Sequence, residues 1–115
     1  MNAYALAAPA RLDLMGIRDY LSQAPNSIQA KIITNLQAGF QQAADLPLSG
    51  KVEPAFTTEI SGTIRSLLVR PYRIFYRSDT SPVVIVAILH GAQDIPTVLR
   101  LRSTAKSSVA KIPSR

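Results

Sequence analysis

The sequence contains no cysteine, no tryptophan and only one histidine. Without cysteine, neither a disulfide scaffold nor a thiolate metal site can form, and we expect no metal and no cofactor. No apolar run approaches the roughly 20 residues that cross a membrane. The first residues lack the basic start of a signal peptide, and Asp13 interrupts the apolar stretch that follows. These absences predict a cytoplasmic protein that no segment anchors in a membrane.

Acidic residues are also scarce, with seven against thirteen lysines and arginines, which gives a net charge of +6. This balance favours an acidic partner such as nucleic acid, the ribosome, an acidic protein segment or a membrane surface, and it does not choose among them. Hydrophobic residues make up 47% of the 115 residues, more than one small domain can hide in its interior. The composition therefore predicts a permanent protein partner, with an alanine-rich compact domain as the alternative.

The C-terminal half carries the strongest strand signals. Val83 to Leu89 is an apolar run, mostly β-branched, and predicts a central strand that is buried on both faces. Tyr72 to Arg77 predicts a second strand, joined to the first by turn residues, and Ile64 to Val69 predicts a third. The link Arg70-Pro71 predicts a loop longer than a tight hairpin turn, because proline cannot take a positive φ.

The N-terminal half has helical periodicity. A weak strand at Tyr4–Ala7 is followed by apolar residues at helical spacing up to Leu21, and a second helix runs to about Ala44. We expect a short strand near Phe56 to Ile60 and a last helix capped by Asp94. The predicted fold is α+β in the order β-α-α-β-β-β plus a short C-terminal helix. It has a small antiparallel sheet of three to four strands packed against an N-terminal helix hairpin.

The sequence predicts one domain over residues 1–102, followed by a basic tail over residues 103–115. A helix hairpin covers only one face of such a sheet, whereas the central strand requires burial on both faces. Either the C-terminal segment or a bound partner must therefore cover the second face.

Several motifs occur in the order of a known family. Arg65 lies on one strand, the pattern Tyr-x-Ile-x-Tyr-Arg fills Tyr72–Arg77, and the apolar strand is followed by His90-Gly91 and then Asp94. With looser matches in the N-terminal half, this order resembles the RelE/ParE toxins of bacterial type II toxin–antitoxin pairs over roughly residues 3 to 101. The resemblance implies a RelE/ParE-like fold and a ParD-like antitoxin that wraps around the toxin in a hetero-oligomer.

The resemblance implies one of two activities. RelE-like toxins resemble metal-free ribonucleases that cut mRNA on the ribosome, whereas ParE-like toxins poison DNA gyrase. Ribonuclease chemistry needs an acid, a base and a cation on one sheet face, and the candidates are Arg65, Arg73 and His90. A loop of two or four residues before Tyr72 would put Arg65 on the face opposite Arg73, and no tyrosine follows position 76. The catalytic set is therefore incomplete, and His90 is also interpretable as a structural residue.

Two further groups of residues are candidates for contacts. The possible target or antitoxin contacts are the arginines Arg70, Arg73, Arg77, Arg100 and Arg102, which could equally form a solvated face of the sheet. The possible antitoxin groove consists of Leu14, Tyr20, Ile33 and Phe40. The His-Gly pattern with a later aspartate favours the ParE-like branch, a gyrase inhibitor. A RelE-like ribosome-dependent endoribonuclease and a non-toxic antitoxin-binding module are the alternatives.

Overall fold

The computed structural model describes residues 2–56 and 62–91 together with Ile95 and Val98. Two helices precede most of the sheet, and two 3-10 turns lie between the second helix and the third strand. The elements are β1 (Tyr4–Leu6), α1 (Ala8–Leu21), α2 (Asn26–Asp45), the 3-10 turn Pro47–Ser49, β2 (Lys51–Val52), the 3-10 turn Pro54–Phe56, β3 (Ile64–Val69), β4 (Tyr72–Arg77) and β5 (Val83–His90). The predicted α+β architecture with an N-terminal helix hairpin is confirmed.

The sheet is wider than predicted, and it is mixed rather than antiparallel. Five strands lie in the order β1-β5-β4-β3-β2, with β1 parallel to β5 and all other pairs antiparallel. The weak strand predicted at Tyr4–Ala7 is present as β1, whereas β2 has only two residues, too few to give an alternation pattern that reveals a strand. A strand was expected to begin near Phe56, but that residue ends a 3-10 turn. The rest of that predicted strand, the predicted C-terminal helix around Asp94 and the basic tail lie largely or wholly outside the described residues.

The link between β3 and β4 differs from the prediction. Val69 pairs directly with Tyr72, so the turn contains only Arg70 and Pro71, and the longer loop predicted there was wrong. The Arg70–Pro71 peptide bond is cis, and no non-glycine residue in the described chain has a positive φ. The turn is thus compact without requiring a left-handed residue.

The two helices pack on one face of the sheet. Leu36 and Phe40 of α2 lie in a core with Tyr72, Ile74 and Ile85, together with buried residues of α1. α2 approaches the sheet closely at Gly39, since a Cβ placed there would lie 2.6 Å from Cδ1 of Ile74. Neither of the two helices in the described chain is long and apolar enough to cross a membrane.

The second face of the sheet carries a smaller cluster of buried residues, Ile64, Phe75, Ala87 and Leu89. Phe56, which precedes β3, packs against this cluster, and so do Ile95 and Val98, which follow β5. Segments before and after these strands in the sequence therefore cover this face. β5 is therefore covered on both faces by its own chain, as the apolar run required. The sequence predicted that either the C-terminal segment or a bound partner covers this face, and Ile95 and Val98 of the C-terminal segment cover at least part of it.

A tyrosine hydroxyl holds the connection between α2 and β2 against the sheet. The Tyr76 side chain is fully buried, and its hydroxyl donates to the carbonyl of Pro47 at 2.7 Å and accepts from the backbone N–H of Gly50 at 3.0 Å. A Cβ at Gly50 would overlap this hydroxyl and lie 2.8 Å from the carbonyl oxygen of Ser66. Only glycine lets the chain pass this close.

We expect the Tyr76→Phe variant to lose stability. The change removes both hydrogen bonds and leaves the buried N–H of Gly50 without its acceptor, a loss of about 1–3 kcal/mol in the free energy of unfolding. Urea unfolding followed by circular dichroism measures it. Tyr20→Phe, at a position that is 77% exposed, is the control and should change the free energy little. Equal stability of the two variants would contradict the role given to the hydroxyl.

Candidate functional site

Arg65 lies on the helix face of the sheet, opposite to the arginines of β4. The turn between β3 and β4 has two residues, so Arg65 pairs with Tyr76. This places Arg65 on the face opposite Arg73, as expected for a loop of that length. Its guanidinium donates to the carbonyl of Gly50 at 3.0 Å, to that of Leu48 at 3.4 Å, and to the Ser78 hydroxyl at 3.2 Å. Arg65 therefore joins three separate segments of the chain, and its contacts are those of a structural residue.

Arg73 lies on the second face and is bonded through a buried serine. Its guanidinium donates to Oγ of Ser66 at 3.1 Å, and that hydroxyl donates to the Glu53 carboxylate at 2.6 Å. Ser66 is 2% exposed, and its hydroxyl has both a donor and an acceptor for a partner. This chain connects β3, β4 and the segment after β2, and it orients the Arg73 side chain along the sheet.

Arg77 forms an ion pair with the turn that follows it. Its Nε lies 3.1 Å from the Asp79 carboxylate, which also accepts from the backbone N–H of Thr63 at 3.3 Å. The hydrogen bond from Arg77 is the main cause that holds the pKa of Asp79 below its ordinary value of 3.8, and the Thr63 N–H contributes to the same effect. The pair closes the β4–β5 turn onto the start of β3.

His90 lies at the other end of the sheet from Arg65. It pairs with Tyr72, and the two rings meet edge to face with centroids 5.5 Å apart. Tyr72 and Tyr76, the partners of His90 and Arg65, lie four residues apart, which corresponds to about 14 Å along the strand. The structure therefore does not bring Arg65, Arg73 and His90 together.

The other predicted polar residues are distributed as follows. Arg70 is exposed in the turn between β3 and β4, whereas Arg100, Arg102 and Asp94 lie outside the described residues. Within the described parts of the chain, no group of three or more histidine, cysteine, aspartate or glutamate side chains could hold a metal ion.

An apolar groove lies between α1 and the ends of β4 and β5. It has a volume of about 420 Å³ and is lined by Leu12, Asp13, Gly16, Ile17, Tyr20, Tyr72, Ile88 and His90. Leu12 and Tyr20 are 66% and 77% exposed, so the α1 side of the groove presents apolar side chains to solvent. One helical turn separates Leu12, Gly16 and Tyr20, so they form a single stripe along α1.

Asp13 fixes this wall of the groove to the sheet. β1 covers β5 only from Val83 to Ile85, and beyond that point no strand among the described residues lies along the outer edge of β5. The Asp13 carboxylate accepts a hydrogen bond from the backbone N–H of Ile88 at 2.9 Å, in the place where a further strand would bond. A helix side chain thereby satisfies a strand group that would otherwise be unpaired.

The four predicted groove residues do not form one groove. Tyr20 lines the α1–β5 groove, and Ile33 lines a separate hollow between α1 and α2. Leu14 is half-buried against the core, and Phe40 is 2% exposed and packs on Tyr4. Phe40 was predicted to line the groove, and the structure instead places it in the core. The groove residue Leu12 was not predicted, although its helical spacing with Tyr20 is visible in the sequence.

The fold and these surfaces define a small α+β protein with exposed apolar side chains on its first helix. The family model described as the ParE toxin of the type II toxin-antitoxin system, parDE, matches residues 4–95. This match includes both helices and all five strands, and the chain belongs to the ParE toxin family.

A solved structure agrees with this assignment at the level of the fold. A chain of the "Chromosomal ParDE TA system from P. aeruginosa" aligns with 22% sequence identity and a TM-score of 0.58. The alignment covers 78% of this chain and 96% of that chain. No curated protein matches the sequence at a significant level.

We expect the contribution of the Arg77–Asp79 pair to depend on pH. The pKa of Asp79 is lowered in the folded state, so the ionised carboxylate stabilises the fold at any pH above the ordinary pKa of 3.8. This stabilisation is lost as the pH falls through the folded-state pKa. The stability difference between wild type and Asp79→Asn should therefore be constant near neutrality and shrink below pH 3.8. Repeating the change in an Arg77→Gln background should give a smaller difference, and an equal difference would contradict the pairing.

Proposed function

We propose that this chain is the toxin of a type II toxin–antitoxin pair, that it arrests growth by binding DNA gyrase, and that a ParD-like antitoxin neutralises it in the cytoplasm. The observation that carries the proposal is the ParE family match over residues 4–95, which includes every described helix and strand. Such a toxin acts through contacts with its target and has no need of a catalytic centre.

The contacts of the strand arginines support a binding protein over a ribonuclease. Arg65 bonds the connection at Leu48 and Gly50 and also Ser78, Arg73 bonds the buried Ser66, and Arg77 pairs with Asp79. A ribonuclease site requires its cation, acid and base to converge on one phosphate. Here Arg65 and Arg73 lie on opposite faces, and His90 lies about 14 Å along the strand from Arg65.

The α1–β5 groove supports an antitoxin contact. Leu12 and Tyr20 expose large apolar surfaces beside a groove whose floor is made of Ile17, Tyr72 and Ile88. An exposed apolar stripe of this kind on a small protein is typical of a partner surface, and a groove of this shape suits the apolar face of an amphipathic helix.

The target is tested by exposing purified, antitoxin-free protein to gyrase with supercoiled plasmid and, in parallel, to translating ribosomes with mRNA. We expect gyrase-dependent cleavage or loss of supercoiling, with intact mRNA. Arg73→Ala and His90→Gln should retain at least about half of this effect, because neither residue carries out chemistry in the proposal.

Two results would overturn the proposal. Cut mRNA with unaffected gyrase, abolished by Arg73→Ala or His90→Gln in a folded protein, would establish the endoribonuclease. No effect on either target, together with normal growth on expression without an antitoxin, would establish a non-toxic binding module.

A second prediction concerns neutralisation. The double variant Leu12→Ser and Tyr20→Ser should bind the antitoxin at least about tenfold more weakly, because it removes two exposed apolar contacts without touching the core. It should still arrest growth, and co-expressed antitoxin should rescue growth less well. Leu46→Ser, at a position that is 60% exposed at the end of α2, is the matched control. Equal antitoxin affinity of the two variants would exclude the groove as the antitoxin site.

A further inference from the structure

α1 and α2 each contain one glycine, and the packing of the chain requires only one of the two. At Gly39 in α2, an added Cβ would lie 2.6 Å from Cδ1 of Ile74 and 2.8 Å from Cγ2 of Val69, so a side chain does not fit there. At Gly16 in α1, an added Cβ would meet nothing within 4 Å. Packing within the described chain therefore leaves room for a side chain at Gly16.

Gly16 also destabilises the helix that contains it. α1 runs from Ala8 to Leu21, so Gly16 lies in the helix interior and does not end the helix. Glycine in such a position lowers the folding equilibrium by a factor of about five relative to alanine, because more backbone freedom is lost on folding. Gly62 is the one glycine of the described chain with a positive φ, so Gly16 is not needed for a left-handed backbone either. No feature of the described chain offsets this loss of stability.

The place of Gly16 in the α1–β5 groove indicates what offsets it. Gly16 lines this groove, and the exposed side chains of Leu12 and Tyr20 lie one helical turn before and after it. The stripe along α1 thus consists of two large apolar side chains with a gap between them. The distance between two packed helices depends on the size of the side chains at their contact, and small residues allow the closest approach. The gap therefore fits a second helix that crosses α1 at Gly16.

An extended segment and a second copy of this chain fit the groove less well than a helix of an acidic protein. The N–H of Ile88 already donates to the Asp13 carboxylate at 2.9 Å, so a strand laid along β5 would find this donor occupied. A second copy would bring another net charge of +6 to the contact, and the two copies would repel each other. The same charge attracts an acidic partner.

We propose that Gly16 determines which helix the α1–β5 groove accepts. The partner is an amphipathic helix of an acidic protein, and it crosses α1 at Gly16. It places a small residue such as alanine against Gly16 and packs its larger apolar side chains beside Leu12 and Tyr20. Identifying this partner with the antitoxin rests on the proposed function, whereas the size limit at Gly16 does not.

The first test needs no partner. Gly16→Ala should raise the Tm of the free chain by about 3–5 °C, because alanine is the better helix former and its methyl group meets no neighbour. Thr34→Ala, at an exposed position of α2, is the reference for a gain from helix propensity alone. Gly39→Ala should instead lower the Tm, because its Cβ would overlap Ile74. A Tm that does not rise in Gly16→Ala would show that the chain itself needs this glycine and would overturn the proposal.

The second test measures the affinity for the acidic antitoxin of the proposed pair. Gly16→Ala should weaken binding by about tenfold and Gly16→Leu by about a hundredfold, because the added groups lie between two packed helices. Thr34→Ala should change the affinity less than about twofold. Both Gly16 variants should still arrest growth, and co-expressed antitoxin should rescue growth less well. Equal affinity of wild type and Gly16→Leu, or loss of growth arrest in a folded Gly16 variant, would overturn the proposal.

A synthetic helix separates this inference from the proposed function. The probe is a blocked amphipathic peptide with glutamates on its outer face, leucines on its apolar face and alanine at the centre of that face. Titrated into the ¹⁵N-labelled full chain, it should shift amides of α1 and the end of β5 in wild type but not in Gly16→Leu. Shifts elsewhere, equal shifts in both chains or none at all would overturn the inference. A wild-type chain that binds the peptide but no antitoxin would contradict the proposed function alone.

Discussion

Burial of β5 on both faces is the constraint on which the rest of the structure depends. The helix hairpin covers one face, and Phe56, Ile95 and Val98 cover the other, so segments from both ends of the chain must converge on this strand. The apolar side chains of one strand thereby determine where the N-terminal and C-terminal segments lie. The position of β1 depends on the same constraint. β1 pairs in parallel with β5, and the chain continues from β1 directly into α1.

The helices and the three long strands could be predicted from the sequence because each has a period that burial imposes. The two-residue turn at Arg70-Pro71 could not, since the sequence argument considered only tight turns that need a positive φ, and the described chain has no non-glycine residue with a positive φ. β2 could not be predicted either, because two residues have no period, and the parallel pairing of β1 with β5 could not be predicted because it joins distant segments of the chain. The position of Arg65 followed once the loop length was known.

The site was harder to predict because residue type does not reveal what a side chain bonds. An arginine side chain is equally suited to contact a phosphate or to form hydrogen bonds within the protein. In the structure, Arg65, Arg73 and Arg77 each bond to another residue of the chain. Phe40 and Tyr20 both lie on apolar positions of a helix, but only packing decides that the first is core and the second lines a groove. Sequence periodicity identifies a helix face without saying whether another element covers it.

Two grooves flank the helix hairpin, the α1–β5 groove and a groove of about 480 Å³ between α2 and the end of β3. Val69, which lines the second groove, pairs directly with Tyr72, which lines the first, so the two grooves approach within about one strand spacing, roughly 5 Å. The two grooves are therefore neighbouring surfaces of one molecule and are not on opposite sides of it. Sheet edges are normally protected against unwanted pairing, and at the β1 edge helix side chains bond the N–H of Asn2 and the carbonyl of Leu6.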